Sequence, residues 1–170
     1  VTIFFTSDHH FGHTNILKYQ NRPFPTIEEM NEVLIDKWNS VVKPNDTIYH
    51  LGDFALVRTK NEVDNIVRRL NGHKHLILGN HDRQPVKHAS GFVEIEQYKE
   101  IAIDGIKLIL FHYPIESWNG AFHETYHLHG HSHGKSSVRS RRIDVGVDVH
   151  NYYPINYEEV KQLMTLHSDS

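Results

Sequence analysis

The sequence predicts an α/β fold in which mixed β-sheets are flanked by helices and a functional site forms at the strand ends. Strand-length apolar runs alternate with segments of helical periodicity through the first 79 residues. The 170 residues fit one domain, expected to span 1–170, and are enough to bury a real core. Chemistry-bearing side chains follow directly after the strand-like runs, where open α/β sheets place their ligand sites.

Residues 2–6 (Thr-Ile-Phe-Phe-Thr) are aromatic and β-branched, the composition of a strand, and give way to a polar loop over 7–15. Thr26 with Glu29 three residues on forms a capping box. It opens a helix with Ile27, Met30, Val33, Leu34, Trp38 and Val41 on one face, stopped by Lys43-Pro44-Asn45-Asp46. Residues 47–51 are a second strand, ended by Gly52-Asp53. Thr59 and Glu62 repeat the cap and start a helix through Val63, Ile66, Val67 and Leu70 that stops at Asn71-Gly72. Residues 75–78 are a third strand, closed by Gly79-Asn80. This β-α-β-α-β order is that of a mostly parallel sheet. Beyond Gly91 the pattern changes. Residues 92–103 and 106–113 read as strands joined at Asp104-Gly105, a hairpin turn. Residues 126–129 and 143–149 are further strands, and a helix capped by Asn156 and Glu159 runs to about 166.

Composition excludes several functions. There is no cysteine, so disulfides, thiolate metal sites and thiol catalysis are absent. Eighteen Lys and Arg against 21 Asp and Glu leave −3, too balanced for a polybasic nucleic-acid or membrane-surface binder. The longest apolar runs, such as 106–111, fall far short of the ~20 residues of a membrane span. Residues 1–5 are apolar but lack the cationic flank of a signal peptide, and a soluble cytoplasmic protein without membrane partners is expected. Gly134-Lys135-Ser136 resembles the end of a phosphate-binding loop, but the required upstream glycine is His129.

Sixteen histidines in one chain of this length stand out, and they are not a terminal tag. Asp8 and His10 follow the first strand, Asp53 the second, and Asn80-His81-Asp82 the third. His112 closes the hairpin strand, and Gly130-His131-Ser132-His133 follows residues 126–129. Asp8, His10, Asp53, Asn80, His112, His131 and His133 supply oxygen and nitrogen donors without sulfur, more than one tetrahedral zinc uses. Such a set suits two divalent ions sharing a carboxylate, an arrangement found in phosphate-ester hydrolases. Two such ions bring four positive charges against the two of Asp8 and Asp53, and so favour an anionic substrate.

In these residues the chain resembles the calcineurin-like metallophosphoesterases, in particular their small, uncapped bacterial and phage members. The matching blocks are Asp8-His9-His10, Gly52-Asp53, Gly79-Asn80-His81-Asp82, His112 and Gly130-His131-Ser132-His133, in that order. Val145-Gly146-Val147-Asp148, with Asn151 and Pro154, is also similar. The resemblance implies that Asp8, His10 and His133 hold one metal, that Asn80, His112 and His131 hold the other, and that Asp53 bridges them. It also implies that His81 stands beside the leaving-group oxygen with Asp82 behind it.

The expected chemistry is attack of a metal-bridging hydroxide on phosphorus, with His81 as general acid and Asp82 fixing its tautomer. Manganese is the first choice of cofactor, with iron, zinc or nickel as alternatives. The chain has no length for a cap domain, which favours phosphodiesters over monoesters. Nucleotides and nucleic-acid ends are the substrate forms considered. Phosphomonoesterase or nuclease activity on the same site, and a non-catalytic phosphate- or nucleotide-binding module, are the alternatives. His9, His13, Trp118, Asn119 and Lys135 are candidates for substrate contact. Each also has an ordinary reading, as a core-covering aromatic, a packed imidazole or part of a solvated basic loop with Arg139, Arg141 and Arg142. His123 is a further candidate to line the pocket, and His127 and His129, two apart on a strand, are candidates to flank it, with the ordinary reading preferred; His50, His73, His75, His88, His150 and His167 are read as structural or surface residues.

Overall fold

The computed structural model describes residues 1–167. The expectation that His167 is an ordinary residue falls on a side chain outside the described ones. The elements, in chain order, are β1 (Ile3–Thr6), α1 (Ile16–Tyr19), α2 (Ile27–Val41), β2 (Thr47–His50), α3 (Lys60–Arg69), β3 (His73–Ile77), α4 (Gln84–Lys87) and β4 (Phe92–Glu96). There follow β5 (Lys99–Ile103), β6 (Ile106–Leu110), β7 (Tyr126–His129), β8 (Arg142–Asp144), β9 (Ile155–Asn156) and α5 (Tyr157–His167). One sheet has the order β4-β3-β2-β1-β9 and the other β5-β6-β7-β8. Strands β1 to β4 are mutually parallel, and β6, β7 and β8 form a second parallel set. β9 and β5 run antiparallel to β1 and β6.

Side-chain alternation on the strands divides the interior in two. Phe4, Ile48 and Leu76 pack with Met30, Leu34 and Trp38 of α2 and with Val63 and Val67 of α3. Their neighbours Phe5 and Ile77 turn the other way and meet Leu108, Leu110 and Leu128 of the second sheet, with Val160 and Met164 of α5. The capping signals act as read. Thr26 accepts from the Glu29 N–H and Thr59 from the Glu62 N–H, each at 3.2 Å, and the Asn156 carboxamide oxygen accepts from the Glu159 N–H at 2.9 Å.

The stretch 92–103 is not the continuous strand expected from its composition. Its first half adds in parallel to β3, while its second half pairs antiparallel with β6 in the other sheet. Gln97 and Tyr98 carry the chain between the sheets, and both are exposed. The segment expected as a strand over 143–149 is regular only in β8, though Val147 N–H still reaches the Ser7 carbonyl at 3.0 Å. Helices α1 and α4, four residues each, and the two-residue β9 lie below the length at which periodicity signals anything.

Both parallel sets deliver their carboxyl ends to one edge, where loop pairing carries the convergence past the strands. Asp8 N–H donates to Gly52 O and His10 N–H to Asp53 O, both at 2.9 Å, and Gly130 N–H reaches His112 O at 2.9 Å. Trp38 is fully buried, and its indole N–H donates to Asn71 O at 2.9 Å, fixing α2 to the turn before β3. Trp38→Ala should lower the unfolding free energy by about 3–5 kcal/mol in urea titrations. A loss below about 1 kcal/mol would contradict this placement of the first core.

Candidate metal centre

The site is built on strained backbone. Asp8, His10, Asp53, His131 and His133 all have φ between +48° and +69°, the left-handed region. Each such residue costs roughly 1–2 kcal/mol unless its surroundings hold it. Here the holding is done by the loop-to-loop hydrogen bonds and by close backbone approach. Gly52 has φ +105°, and a Cβ there would lie 2.5 Å from His112 Nδ1 and 2.6 Å from the Gly79 nitrogen. Only glycine lets these three loops meet.

Asp8, His10 and His133 each offer a ligand atom, all within 4.8 Å of one another, and Asp53, His112 and His131 form a second such group. Asn80 belongs to the second group, with its carboxamide oxygen 3.1 Å from His112 Nε2 and 3.2 Å from His131 Nδ1. Asp53 faces both groups. Its Oδ2 lies 3.5 Å from His10 Nε2 and 3.4 Å from His112 Nε2, while its Oδ1 accepts from the His81 N–H at 2.9 Å. The two groups of loops are also tied directly, since Asp8 Oδ2 accepts from the His131 N–H at 3.0 Å. The seven side chains singled out as ligand candidates therefore come together at the strand ends, in two adjoining groups that Asp53 faces.

Burial governs the electrostatics of these groups. Asp8 Oδ1 and His10 Nε2 are buried with no hydrogen-bond partner. Burial pushes the Asp8 carboxyl up to about 7 against the pull of His112 and His133, and drives His10 well below the ordinary imidazole value. Burial also opposes charge on His112, but hydrogen bonding and ion pairing with Asp53 overcome it and hold this imidazole up at about 9. Asp53 is correspondingly held below the usual carboxylate range, because His112, His10 and the His81 N–H outweigh its desolvation. His112 Nδ1–H donates to Leu51 O at 2.7 Å, which turns Nε2 toward Asn80 and Asp53.

The His81 ring lies at the rim, 5.3 Å from the His10 ring and 5.4 Å from that of His13. The dyad expected of His81 and Asp82 is not formed. Asp82 is buried, and its carboxylate accepts from the N–H groups of Asp53, Phe54 and Gly79, each at 2.8 Å. It clamps two ligand loops together, because three backbone donors converge there and no other acceptor serves them. Burial raises its pKa to about 6 against those same donors.

The candidates for substrate contact separate. His13 abuts the site, its Nδ1 3.1 Å from His10 Nδ1. His9 points away from it: fully buried, it bonds His50 at 2.9 Å, stacks on Phe11 and meets Trp38 edge-on. Trp118 donates to Thr125 O and packs on His127, while Asn119 is exposed and bonds Glu100. Lys135 is exposed on the loop after His133. In the basic segment, Arg141 and Arg142 are spent on the carbonyls of Ala121, Ile115 and Ser137. Arg22 joins Asp148 behind His133; Arg22 carried no signal in the sequence, whereas Asp148 stood in the Val145–Asp148 stretch without an assigned role.

A sequence model of the calcineurin-like phosphoesterase superfamily domain matches residues 2–151, and the chain belongs to that family. It is 35% identical over 170 aligned residues to an uncharacterised protein of Methanocaldococcus jannaschii, covering 95% of this chain and 90% of that one. The gene 66 protein of Mycobacterium phage D29 is 25% identical, with 95% of each chain covered. A solved structure from Aquifex aeolicus, of a protein of unknown function, superposes with TM-score 0.78 at 30% identity, covering 95% of this chain and 98% of that one. Among the described residues, no helix is long and apolar enough to cross a membrane.

Asp82→Ala strips three N–H groups of their acceptor, two of them buried and each of those worth about 1–3 kcal/mol. The variant should unfold at markedly lower urea concentration even without metal. An unchanged midpoint would return Asp82 to a purely chemical role.

Proposed function

We propose that the chain hydrolyses phosphate esters, phosphodiesters in preference to monoesters, with two divalent cations held between the strand-end loops. The observation that carries this reading is the pair of buried, unpartnered atoms Asp8 Oδ1 and His10 Nε2 beside Asp53, a carboxylate facing both ligand groups. Buried polar atoms without partners are costly, and a cation is the partner this donor set suits. Asp8, His10 and His133 would hold one ion, Asn80, His112 and His131 the other, with Asp53 shared. Manganese, iron, zinc and nickel all accept such imidazole, carboxylate and amide donors. Bound there, the ions would supply Lewis-acid polarisation of the phosphoryl oxygens and acidify a water molecule.

The chain's own side chains account for the remaining requirements. Two carboxylates against two divalent ions leave an electropositive pocket that draws an anionic ester. His81 is anchored by its N–H on Asp53, with its ring at the rim, where it can give a proton to a departing alkoxide. Asn80 and His131 are exposed, so the mouth admits an ester substituted on both sides, such as a nucleotide diester or a nucleic-acid end. This openness supports the diester preference.

Manganese-loaded protein should hydrolyse bis-p-nitrophenyl phosphate faster than p-nitrophenyl phosphate. Failure to cleave either with manganese, iron, zinc or nickel would overturn the reading. His81→Ala should slow an alkyl diester by about 10²–10⁴-fold and a p-nitrophenyl ester far less, since nitrophenolate needs little protonation to leave. Equal losses on both would remove His81 from the acid role. Asp53→Asn should reduce bound metal together with rate, and full occupancy in that variant would contradict a shared carboxylate.

A further inference from the structure

We infer that Arg22 and Asp148 form a positioning unit that fixes the His133 imidazole and thereby sets the cation affinity of the Asp8–His10–His133 group. The inference rests on the proposed reading of that group as a cation position. His133 Nδ1 lies 2.5 Å from Asp148 Oδ2. With the carboxylate as acceptor, the ring proton sits on Nδ1, and the Nε2 lone pair is left free for a cation.

Asp148 is in turn gripped by Arg22. The Arg22 side chain is fully buried, and its fork meets Asp148 twice at 2.9 Å, Nε on Oδ1 and Nη2 on Oδ2. Its other donors reach the loop after β1, Nη2 to Asp8 O at 2.6 Å and Nη1 to His9 O at 2.8 Å. One guanidinium therefore holds the carboxylate behind His133 and also the backbone that displays Asp8 and His10, both in left-handed conformation. Lysine cannot reproduce this, because only a planar fork serves a bidentate carboxylate and two carbonyls together.

The second group is supported differently. Its His112 is oriented by a neutral acceptor, the Leu51 carbonyl. A charged acceptor behind a ligating imidazole makes it a stronger donor, and losing such a partner typically costs 10–100-fold in metal affinity. That loss should fall on one cation position and spare the other.

The test compares the wild-type chain with Asp148→Asn and Arg22→Lys by equilibrium dialysis against manganese, with bound metal measured directly. Histidine-ring ¹⁵N NMR of the metal-free proteins reads the His133 tautomer independently. Wild type should bind two ions and show His133 protonated on Nδ1. Asp148→Asn should keep one ion at wild-type affinity, bind the other about 10–100-fold more weakly, and lose the single tautomer. Arg22→Lys should shift in the same direction by a smaller factor, and it carries the comparison if Asp148→Asn does not fold. A role in stability alone would lower the unfolding midpoint but leave affinity and tautomer unmoved in the folded variants, and that result overturns the inference. Two ions in wild type with unchanged binding in both variants would sink this inference alone. No tight binding by wild type would sink the proposed function and the inference with it.

Discussion

The Asp53 carboxylate is the constraint around which the rest of the structure is arranged. One oxygen is tied to the His81 backbone, and the other looks toward His10 from the first loop and His112 from the second sheet. A buried carboxylate among imidazoles can be neutralised by a proton on one of them, which is how His112 answers it here. That answer leaves Asp8 Oδ1 and His10 Nε2 without partners. Cations between the loops would satisfy all these atoms at once.

Such an arrangement needs a scaffold able to hold unfavourable backbone. Five left-handed residues sit on the loops of the site, and their cost is offset by side chains that hold the loop backbone. The Asp82 carboxylate gathers three N–H groups from two loops, and Arg22 gathers two carbonyls of a third. Beneath them, alternate residues of β1 to β3 serve two separate apolar cores, so the strand ends are gripped from both faces.

Much of this was legible in the sequence. The seven ligand candidates were visible because each falls at or just past the end of a strand-like run, and parallel strands bring such positions to one edge whatever lies between them. The capping boxes at Thr26, Thr59 and Asn156 were equally plain, since capping is local. What escaped was whatever depended on distant partners. Arg22 is a lone arginine in a turn, and its carboxylate partner lies 126 residues away. Asp82 follows His81 and so reads as its companion, although the fold turns its side chain under the loops. The single apolar stretch over 92–103 hides a change of sheet at Gln97-Tyr98, because composition reports that a segment suits a sheet and not which sheet receives it. His9 sits between two other block residues, yet its ring is turned into the core against Trp38.

The most direct test of the centre is low-temperature electron paramagnetic resonance on manganese-loaded protein whose metal content has been measured on the same sample. Two ions per chain with the spectrum of an exchange-coupled pair are expected, because both would share Asp53. A spectrum of isolated ions at every loading, or less than one tightly held ion per chain, would contradict the account.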